Sequence, residues 1–232
     1  MGGNLLERGL RPPGRRRSLL AVPVVYFFFY MVYFSLLQEY ALPKFWVSCE
    51  LDAMIPFCEL FVIPYILWFP LVPGLYLFFY KKNDIDSYLY LCRVMLTGLT
   101  ICLLIYTFFP NGQLLRRPMP RDNILCQMVG LIRKVDPPIN VCPSIHAFVS
   151  ASVAMAASRA RSLSPHPRVR VAIITISVLI CLSTVFLKQH SIIDTVLGVA
   201  LTFLLDALAL RGWLTLRPSA FPLFRRRRSV NS

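Results

Sequence analysis

Residues 169–210 have the sequence VRVAIITISVLICLSTVFLKQHSIIDTVLGVALTFLLDALAL. This stretch consists of two strongly apolar runs that are separated by the polar residues Lys188, Gln189 and His190. A helix of about 20 apolar residues is long enough to cross the ~30 Å hydrocarbon core of a lipid bilayer. We therefore expect residues 169–187 and 191–210 to form two consecutive transmembrane helices joined by a short polar turn.

Four further apolar runs precede this pair in the chain. The six expected spans cover residues 19–37, 60–80, 88–109, 141–158, 169–187 and 191–210. The first run is too long for the apolar part of a signal peptide, and no small-residue cleavage site follows it, so we expect a retained anchor. The fourth run opens on Pro143, a residue suited to the first turn of a helix. The predicted fold is all-α, a six-transmembrane-helix bundle in residues 19–211 between basic segments at residues 1–18 and 212–232.

The distribution of charge favours a membrane protein over a nucleic-acid-binding protein. Of the 232 residues, 56% are hydrophobic and 16% are charged, and the formal net charge is +14. In a soluble protein this excess would suggest a nucleic-acid partner. With the N-terminus inside, however, 17 of the 25 Lys and Arg residues fall in inner segments, as membrane insertion favours. We predict cytoplasmic termini, no nucleic-acid partner, and contact with anionic lipid headgroups through Arg225, Arg226, Arg227 and Arg228.

One group of basic residues opposes this insertion bias. Five of them lie in the expected outer loop between the third and fourth spans: Arg116, Arg117, Arg121, Arg133 and Lys134. This loop, residues 110–140, is long and rich in proline, as active-site loops often are. Two interpretations remain open, because the cluster either binds an anionic group or forms a solvated face of the loop.

The other polar residues of the expected outer loops are less informative. Glu39, Glu50 and Asp52 are expected to be solvated, whereas Glu59, at the mouth of the second span, is a candidate to bind or repel a charged group. An oxidising compartment would allow two disulfide pairs, Cys126 with Cys142 and Cys49 with Cys58. No cysteine or histidine spacing resembles that of a zinc site.

Side chains suited to catalysis are concentrated at two expected helix starts. Ser144 and His146 belong to the first turn of the fourth span, where free N–H groups and the helix dipole attract an anion such as phosphate. His190 and Asp194 are four residues apart, hence on one face of the sixth span, so the carboxylate can orient the imidazole. Structural roles for these residues, or metal ligation, are the alternatives. Their convergence on one membrane face with the basic loop favours catalysis.

The order of these motifs resembles the type-2 phosphatidic acid phosphatase superfamily, which also includes the sphingolipid phosphotransferases. The resemblance covers residues 60–210. It rests on Pro143, Ser144, His146, Ser183, His190 and Asp194, after a basic loop that ends in Arg117 and Pro118. The runs CPSIH at 142–146 and STVFLKQHSIIDTVLG at 183–198 are most similar to bacterial membrane members.

The resemblance implies a role for each site residue. His190 attacks phosphorus to form a phosphohistidine, Asp194 orients His190, and His146 protonates the leaving oxygen before it activates the incoming water or alcohol. Phosphate oxygens are held by Ser144, by Arg117 and, as part of the same motif set, by Ser183. No metal or other cofactor is required.

Two positions depart from the family pattern. Pro110 stands where the family has a lysine, and Thr184 stands where it has an arginine after Ser183. Arg116 and Lys188 are expected to supply the missing positive charge, since Arg116 is adjacent to Arg117 and Lys188 is two residues before His190. The inositol phosphorylceramide synthase branch also lacks the arginine after the serine, which favours an alcohol as the acceptor.

These features together predict an enzyme. The first expectation is an integral membrane lipid phosphatase that hydrolyses a lipid phosphomonoester on the extracytoplasmic face of a bacterial plasma membrane. The alternatives are a lipid phosphotransferase that moves a phospho-headgroup to a lipid alcohol, and a non-catalytic membrane scaffold. The expected partners are a phospholipid or another lipid phosphate as substrate, together with the surrounding membrane lipids.

Overall fold

The structure, a computed structural model, describes residues 13–212, with side chains from residue 20 onward. Two short strands, β1 (Phe45–Trp46) and β2 (Asn111–Gly112), pair in parallel. The rest of the regular structure is helical: α1 (Pro13–Tyr40), α2 (Glu50–Met54), α3 (Val62–Lys81), α4 (Ile85–Phe108), α5 (Ile124–Val135), α6 (Ile145–Arg159), α7 (Pro167–Phe186) and α8 (Ile192–Leu210). The predicted all-α class is confirmed. Residues 1–12 and 213–232, and with them the expected lipid contact of Arg225 to Arg228, lie outside the described residues.

The chain is a multi-pass membrane protein. Within residues 13–212, five helical segments are long and apolar enough to cross a bilayer: Leu20–Tyr40, Glu59–Lys81, Ile85–Phe108, Pro167–Phe186 and Ile192–Leu210. They correspond to five of the six expected spans. Many of their apolar side chains face away from the protein, as lipid-facing side chains do.

The remaining expected span, residues 141–158, corresponds to the shorter helix α6. This helix has 15 residues and is therefore about 22 Å long, less than the ~30 Å hydrocarbon core. Pro143 precedes the helix instead of opening it, because Ser144 has an extended backbone and is the N-cap. Most of α6 is buried against α3, α4, α7 and α8, so its surroundings are protein on nearly every side.

Two glycines allow α6 to pack closely on its neighbours. A Cβ atom at Gly98 of α4 would overlap the ring of Phe148, which is fully buried in α6. A Cβ atom at Gly198 of α8 would overlap the backbone carbonyl oxygen of Ser144. Close backbone approach at small residues is the usual way in which membrane helices associate. The side chain of Thr202 adds a hydrogen bond of 2.9 Å to the Phe148 carbonyl oxygen.

Replacement of Gly198 by alanine should destabilise this contact. The added methyl group meets backbone, which cannot rotate aside, so Gly198→Ala should lower the free energy of unfolding by about 1–3 kcal/mol. Gly130→Ala in α5 is the matched control, because an added Cβ there meets nothing within 4 Å. Thermal unfolding of the purified variants in detergent checks this, and equal melting temperatures for the two variants would contradict the proposed packing.

The connections at one end of the bundle form a small polar cap. Here α1 and α4 end, α6 and α8 begin, and β1 pairs with β2; we call this the site end. Asn111 of β2 organises the cap, since its side chain accepts hydrogen bonds from the backbone N–H groups of Val141 and Cys142 and donates to the Cys142 carbonyl. The conformation of the segment before α6 therefore depends on a residue 30 positions earlier in the chain.

The long connection at the site end contains a helix that the sequence analysis did not predict. This helix, α5, is amphipathic: Cys126 and Val129 are buried, whereas Ile124, Leu131 and Val135 are exposed. Amphipathic helices with an exposed apolar face commonly lie in the headgroup region of a bilayer. The expected loop of residues 110–140 is therefore partly helical.

Candidate active site at the start of α8

His190 and Asp194 meet through the capping structure of α8. The helix begins at Ile192 with Ser191 as its N-cap, so His190 precedes the helix. The expectation that His190 and Asp194 share a helical face is therefore wrong, although the two side chains do approach each other. Asp194 Oδ2 accepts a hydrogen bond of 2.9 Å from the Ser191 backbone N–H and lies 3.6 Å from His190 Nδ1.

The imidazole of His190 is buried, yet its hydrogen-bonding capacity is unsatisfied within the described residues. Its exposed fraction is 6%, and within the described residues neither ring nitrogen has a hydrogen-bond partner. Asp194 is fully buried, and its Oδ1 also lacks a partner within that part of the chain. Buried polar atoms of this kind are rare and typical of functional sites.

The second histidine of the expected site stands beside the first. His146 lies in the first turn of α6, and its ring centroid is 5.7 Å from that of His190. Two aromatic side chains of α3 pack on it, Tyr65 at 4.8 Å and Trp68 at 4.7 Å between ring centroids. The structure therefore brings together His146, His190 and Asp194, which are the three residues expected to carry the chemistry.

The two serines of the motifs have mainly local partners. Ser144 Oγ accepts the Ala147 N–H at 3.3 Å as the N-cap of α6, while the Ser144 backbone N–H donates to the Asp194 carbonyl oxygen at 2.8 Å. Ser144 thereby joins the starts of α6 and α8. Ser183 is buried, and its hydroxyl donates to the Ile180 carbonyl oxygen at 2.6 Å, so the hydroxyl proton has a partner within α7.

Of the three expected cations, only Arg116 is directed at the residues around His190. Its guanidinium donates to Gln189 Oε1 at 2.5 Å and to the Asp136 carbonyl oxygen at 2.7 Å. Burial lowers the pKa of Arg116, and nearby Asp136 partly offsets this effect. The Arg117 side chain is exposed, and Lys188 instead donates to the Asp52 carbonyl oxygen at 2.5 Å.

Several polar residues of the site were not identified from the sequence. Gln189 belongs to the turn before α8, is almost fully buried, and accepts a hydrogen bond from Arg116. Gln113 donates through Nε2 to the carbonyl oxygens of Lys188 at 3.0 Å and Gln189 at 3.3 Å. Asp136 accepts from Gln38 at 3.2 Å and lies 3.5 Å from the Tyr65 hydroxyl. The position of Gln189 next to His190 was the only signal in the sequence that pointed to any of them.

Asp52, expected to be a solvated loop residue, is buried with an exposed fraction of only 2%. Its carboxylate accepts hydrogen bonds from the Ile192 N–H at 2.8 Å, the Ser191 hydroxyl at 2.7 Å and the Cys49 N–H at 2.8 Å. Burial raises the pKa of Asp52, but these hydrogen bonds outweigh that effect, and its pKa lies below the ordinary value. The expectation of solvation was therefore wrong.

The remaining expectations concern Glu59 and the cysteines. The Glu59 carboxylate forms an ion pair with Arg121 at 2.6 Å and accepts a hydrogen bond from Asn123 at 3.1 Å. These contacts join the segment before α5 to the turn before α3.

All seven cysteines lie among the described residues and are free thiols, so neither of the two allowed disulfide pairs is formed. No group of three or more His, Cys, Asp or Glu side chains in that part of the chain is arranged to hold a metal ion.

Comparison with protein-family models, with curated proteins and with solved structures gives no match. The residues of the site and their geometry are therefore the basis on which a function can be assigned.

Removal of the Asp52 charge should weaken the start of α8. Asp52→Asn loses acceptor capacity for three donors, so we expect a decrease of about 1–3 kcal/mol in the free energy of unfolding at pH 7. Because the folded-state pKa of Asp52 is depressed, its stabilisation is present above the unfolded-state pKa and is lost as the pH falls through the folded-state pKa. The difference in free energy of unfolding between Asp52→Asn and the unsubstituted chain should therefore decrease below about pH 4.

The exposed acid Glu50 of the same short helix provides the control for this measurement. Glu50→Gln also removes a carboxylate charge and should leave the melting temperature nearly unchanged, both at pH 7 and below about pH 4. A melting temperature of Asp52→Asn equal to that of Glu50→Gln at pH 7 would show that Asp52 does not stabilise α8.

Proposed function

We propose that this protein is an integral membrane lipid phosphatase that hydrolyses a lipid phosphomonoester through a phosphohistidine at His190. The observation that carries the proposal is the approach of His146 to His190, 5.7 Å between ring centroids, beside the buried carboxylate of Asp194. Two imidazoles at adjacent helix starts supply a nucleophile and a general acid, and the helix starts themselves favour an anion. The motif order that resembles the type-2 phosphatidic acid phosphatases agrees with these roles.

The proposed reaction has two steps. In the first, Nε2 of His190 attacks phosphorus, the bond from phosphorus to the lipid oxygen breaks, and His146 donates a proton to that oxygen as the lipid alcohol leaves. In the second, water attacks phosphorus, His146 accepts its proton, and the bond between phosphorus and Nε2 breaks to release phosphate. Asp194 orients His190 through Nδ1; the 3.6 Å separation is of the kind that shortens when substrate is bound.

The surroundings of the site support a lipid as the substrate. The first residues of α3 and the preceding turn expose Leu60 and Ile63, and α5 exposes Ile124 on a neighbouring element. Ile63 belongs to α3, the helix whose Tyr65 and Trp68 pack on His146. A phosphate group attached to a membrane lipid would enter from such an apolar surface, with its acyl chains still in the bilayer.

Replacement of the proposed nucleophile should abolish turnover. His190→Ala should decrease phosphate release from phosphatidic acid by about 10⁴-fold or more, measured with the purified full chain in mixed micelles. His166→Ala is the matched control, because His166 is an exposed histidine before α7 and should retain activity within about twofold. Full turnover by His190→Ala would eliminate His190 as the nucleophile.

A phosphotransferase is the second candidate, and Thr184 is the observation that favours it. Phosphatases of the resembled family have an arginine at this position. Thr184 is instead buried, and its hydroxyl lies 2.7 Å from the Cys181 carbonyl oxygen and 3.1 Å from the Thr195 hydroxyl of α8.

Product analysis with and without an added lipid alcohol distinguishes the two candidates. Free phosphate alone indicates hydrolysis, and a new phosphodiester indicates transfer. Absence of turnover on a mixed phospholipid extract would favour a non-catalytic scaffold.

We further propose that α6 is a sixth span, that both termini are cytoplasmic, and that the site end faces the outside of a bacterial-type plasma membrane. The support is the charge distribution: Lys81, Lys82, Arg159 and Arg161 all lie at the opposite end of the bundle. Basic residues in short connections are retained preferentially on the cytoplasmic side.

Cysteine labelling tests this orientation. Lys134→Cys, at an exposed position of α5, should react with a membrane-impermeant thiol reagent in intact cells, above the labelling of the unsubstituted chain. Arg161→Cys, at an exposed position of the opposite end, should react only after the membrane is permeabilised. The reverse pattern would assign the site end to the cytoplasm.

A further inference from the structure

Arg133 is a partly buried cation at the site to which the motif pattern assigns no role. It lies near the end of α5, on the side of the helix that faces the protein. Its guanidinium donates through Nη1 to the Arg117 carbonyl oxygen at 2.7 Å and through Nη2 to the Leu187 carbonyl oxygen at 3.1 Å. It also lies over the ring of Phe57, 5.5 Å from the centroid. These contacts fix the guanidinium beside the turn that leads to His190.

Arg133 has another cation as its neighbour. The Arg133 carbonyl oxygen is 3.4 Å from Arg116 Nη1, and burial together with the charge of Arg116 lowers the pKa of Arg133. Neither arginine is within 4.0 Å of a carboxylate oxygen in the described residues, whereas Arg121 and Arg159 both form such pairs. Asp136 offsets only part of the charge of Arg116. Partly buried cations that repel each other and lose hydration favour the binding of an anion.

The hydrogen bonds of the two arginines leave donors for that anion. A guanidinium has five N–H donors in a planar fork, and the carbonyl contacts of Arg133 use only some of them. The Nε atoms of Arg116 and Arg133 are both buried and have no partner within the described residues. Guanidinium groups bind phosphate through paired N–H donors, which gives both affinity and orientation.

We propose that Arg133, carried by α5, binds the phosphate group of the substrate together with Arg116. The inference rests on the proposed function, and it names a source for the positive charge that is missing at Pro110 and Thr184. Because α5 exposes the apolar side chains Ile124, Leu131 and Val135, the same helix contacts the bilayer and presents a cation at the depth of lipid headgroups.

Binding of inorganic phosphate to the purified full chain tests the proposal without requiring turnover. The shift in melting temperature on titration with phosphate gives the affinity. Arg133→Gln should weaken phosphate binding about tenfold or more, as expected for the loss of a charge-assisted hydrogen bond. Lys134→Gln removes the same charge from the next residue, which is exposed, and should change the affinity by less than about twofold. Wild-type affinity in Arg133→Gln would overturn the proposal.

A second variant keeps the test decisive if Arg133→Gln does not fold. Arg133→Lys retains the charge but loses the planar fork, so phosphate should bind about threefold or more weakly than to the unsubstituted chain. Unchanged affinity in Arg133→Lys would overturn the proposal in that case.

A titration with short-chain phosphatidic acid in neutral detergent distinguishes a lipid headgroup from free phosphate. If Arg133 contacts the phosphate group directly, both ligands should bind more weakly to Arg133→Gln. A loss of affinity confined to the lipid would overturn the proposal. Turnover is measured separately. Phosphate binding that depends on Arg133, in a protein that converts no phospholipid, would leave this inference standing and refute the proposed function.

Discussion

The start of α8 is the constraint on which the rest of the site end depends. Four N–H or O–H donors converge there on two buried carboxylates, those of Asp52 and Asp194. A buried carboxylate is tolerable only when several donors surround it, and the free N–H groups of a helix N-terminus provide them. Because Asp52 belongs to the connection between α1 and α3, this cluster joins distant parts of the chain. It holds one side of the turn that carries His190, and Gln113 and Arg133 hold the turn through its carbonyl oxygens.

The same region brings two helix starts side by side. The Ser144 N–H donates to the Asp194 carbonyl oxygen, and Gly198 allows the backbones of α6 and α8 to approach within contact distance. The consequence is that His146 and His190, which are 44 positions apart in sequence, become neighbours. The positive ends of two helix dipoles then act on the same small volume, which suits a negatively charged phosphorus centre. Fold and proposed chemistry therefore depend on the same contact.

The arginine that contacts the residue before His190 is not the one that the motif resemblance indicated. Arg117 matches the motif because a proline follows it, yet its side chain is exposed, and Arg116 makes the contact with Gln189. Consecutive residues of an extended segment point to opposite sides, so a choice between Arg116 and Arg117 requires the path of the backbone. Lys188 lies only two residues before His190, but its side chain donates to the Asp52 carbonyl oxygen. Arg133 reaches the site only because α5 folds back over the turn before α8.

The sequence alone determined that the chain is helical and membrane-embedded, and it identified His146, His190 and Asp194 as neighbours. Those conclusions depend on the length of apolar runs and on short motifs, which are local properties. Only the tertiary structure decided that α6 is short and enclosed, that Asp52 is buried, and that Arg116 and Arg133 stand together. The contact between Asp52 and Ser191 joins residues 139 positions apart, and that between Arg133 and Leu187 joins residues 54 apart. Contacts over such separations leave no periodic signal in the sequence, because they are set by how the helices pack.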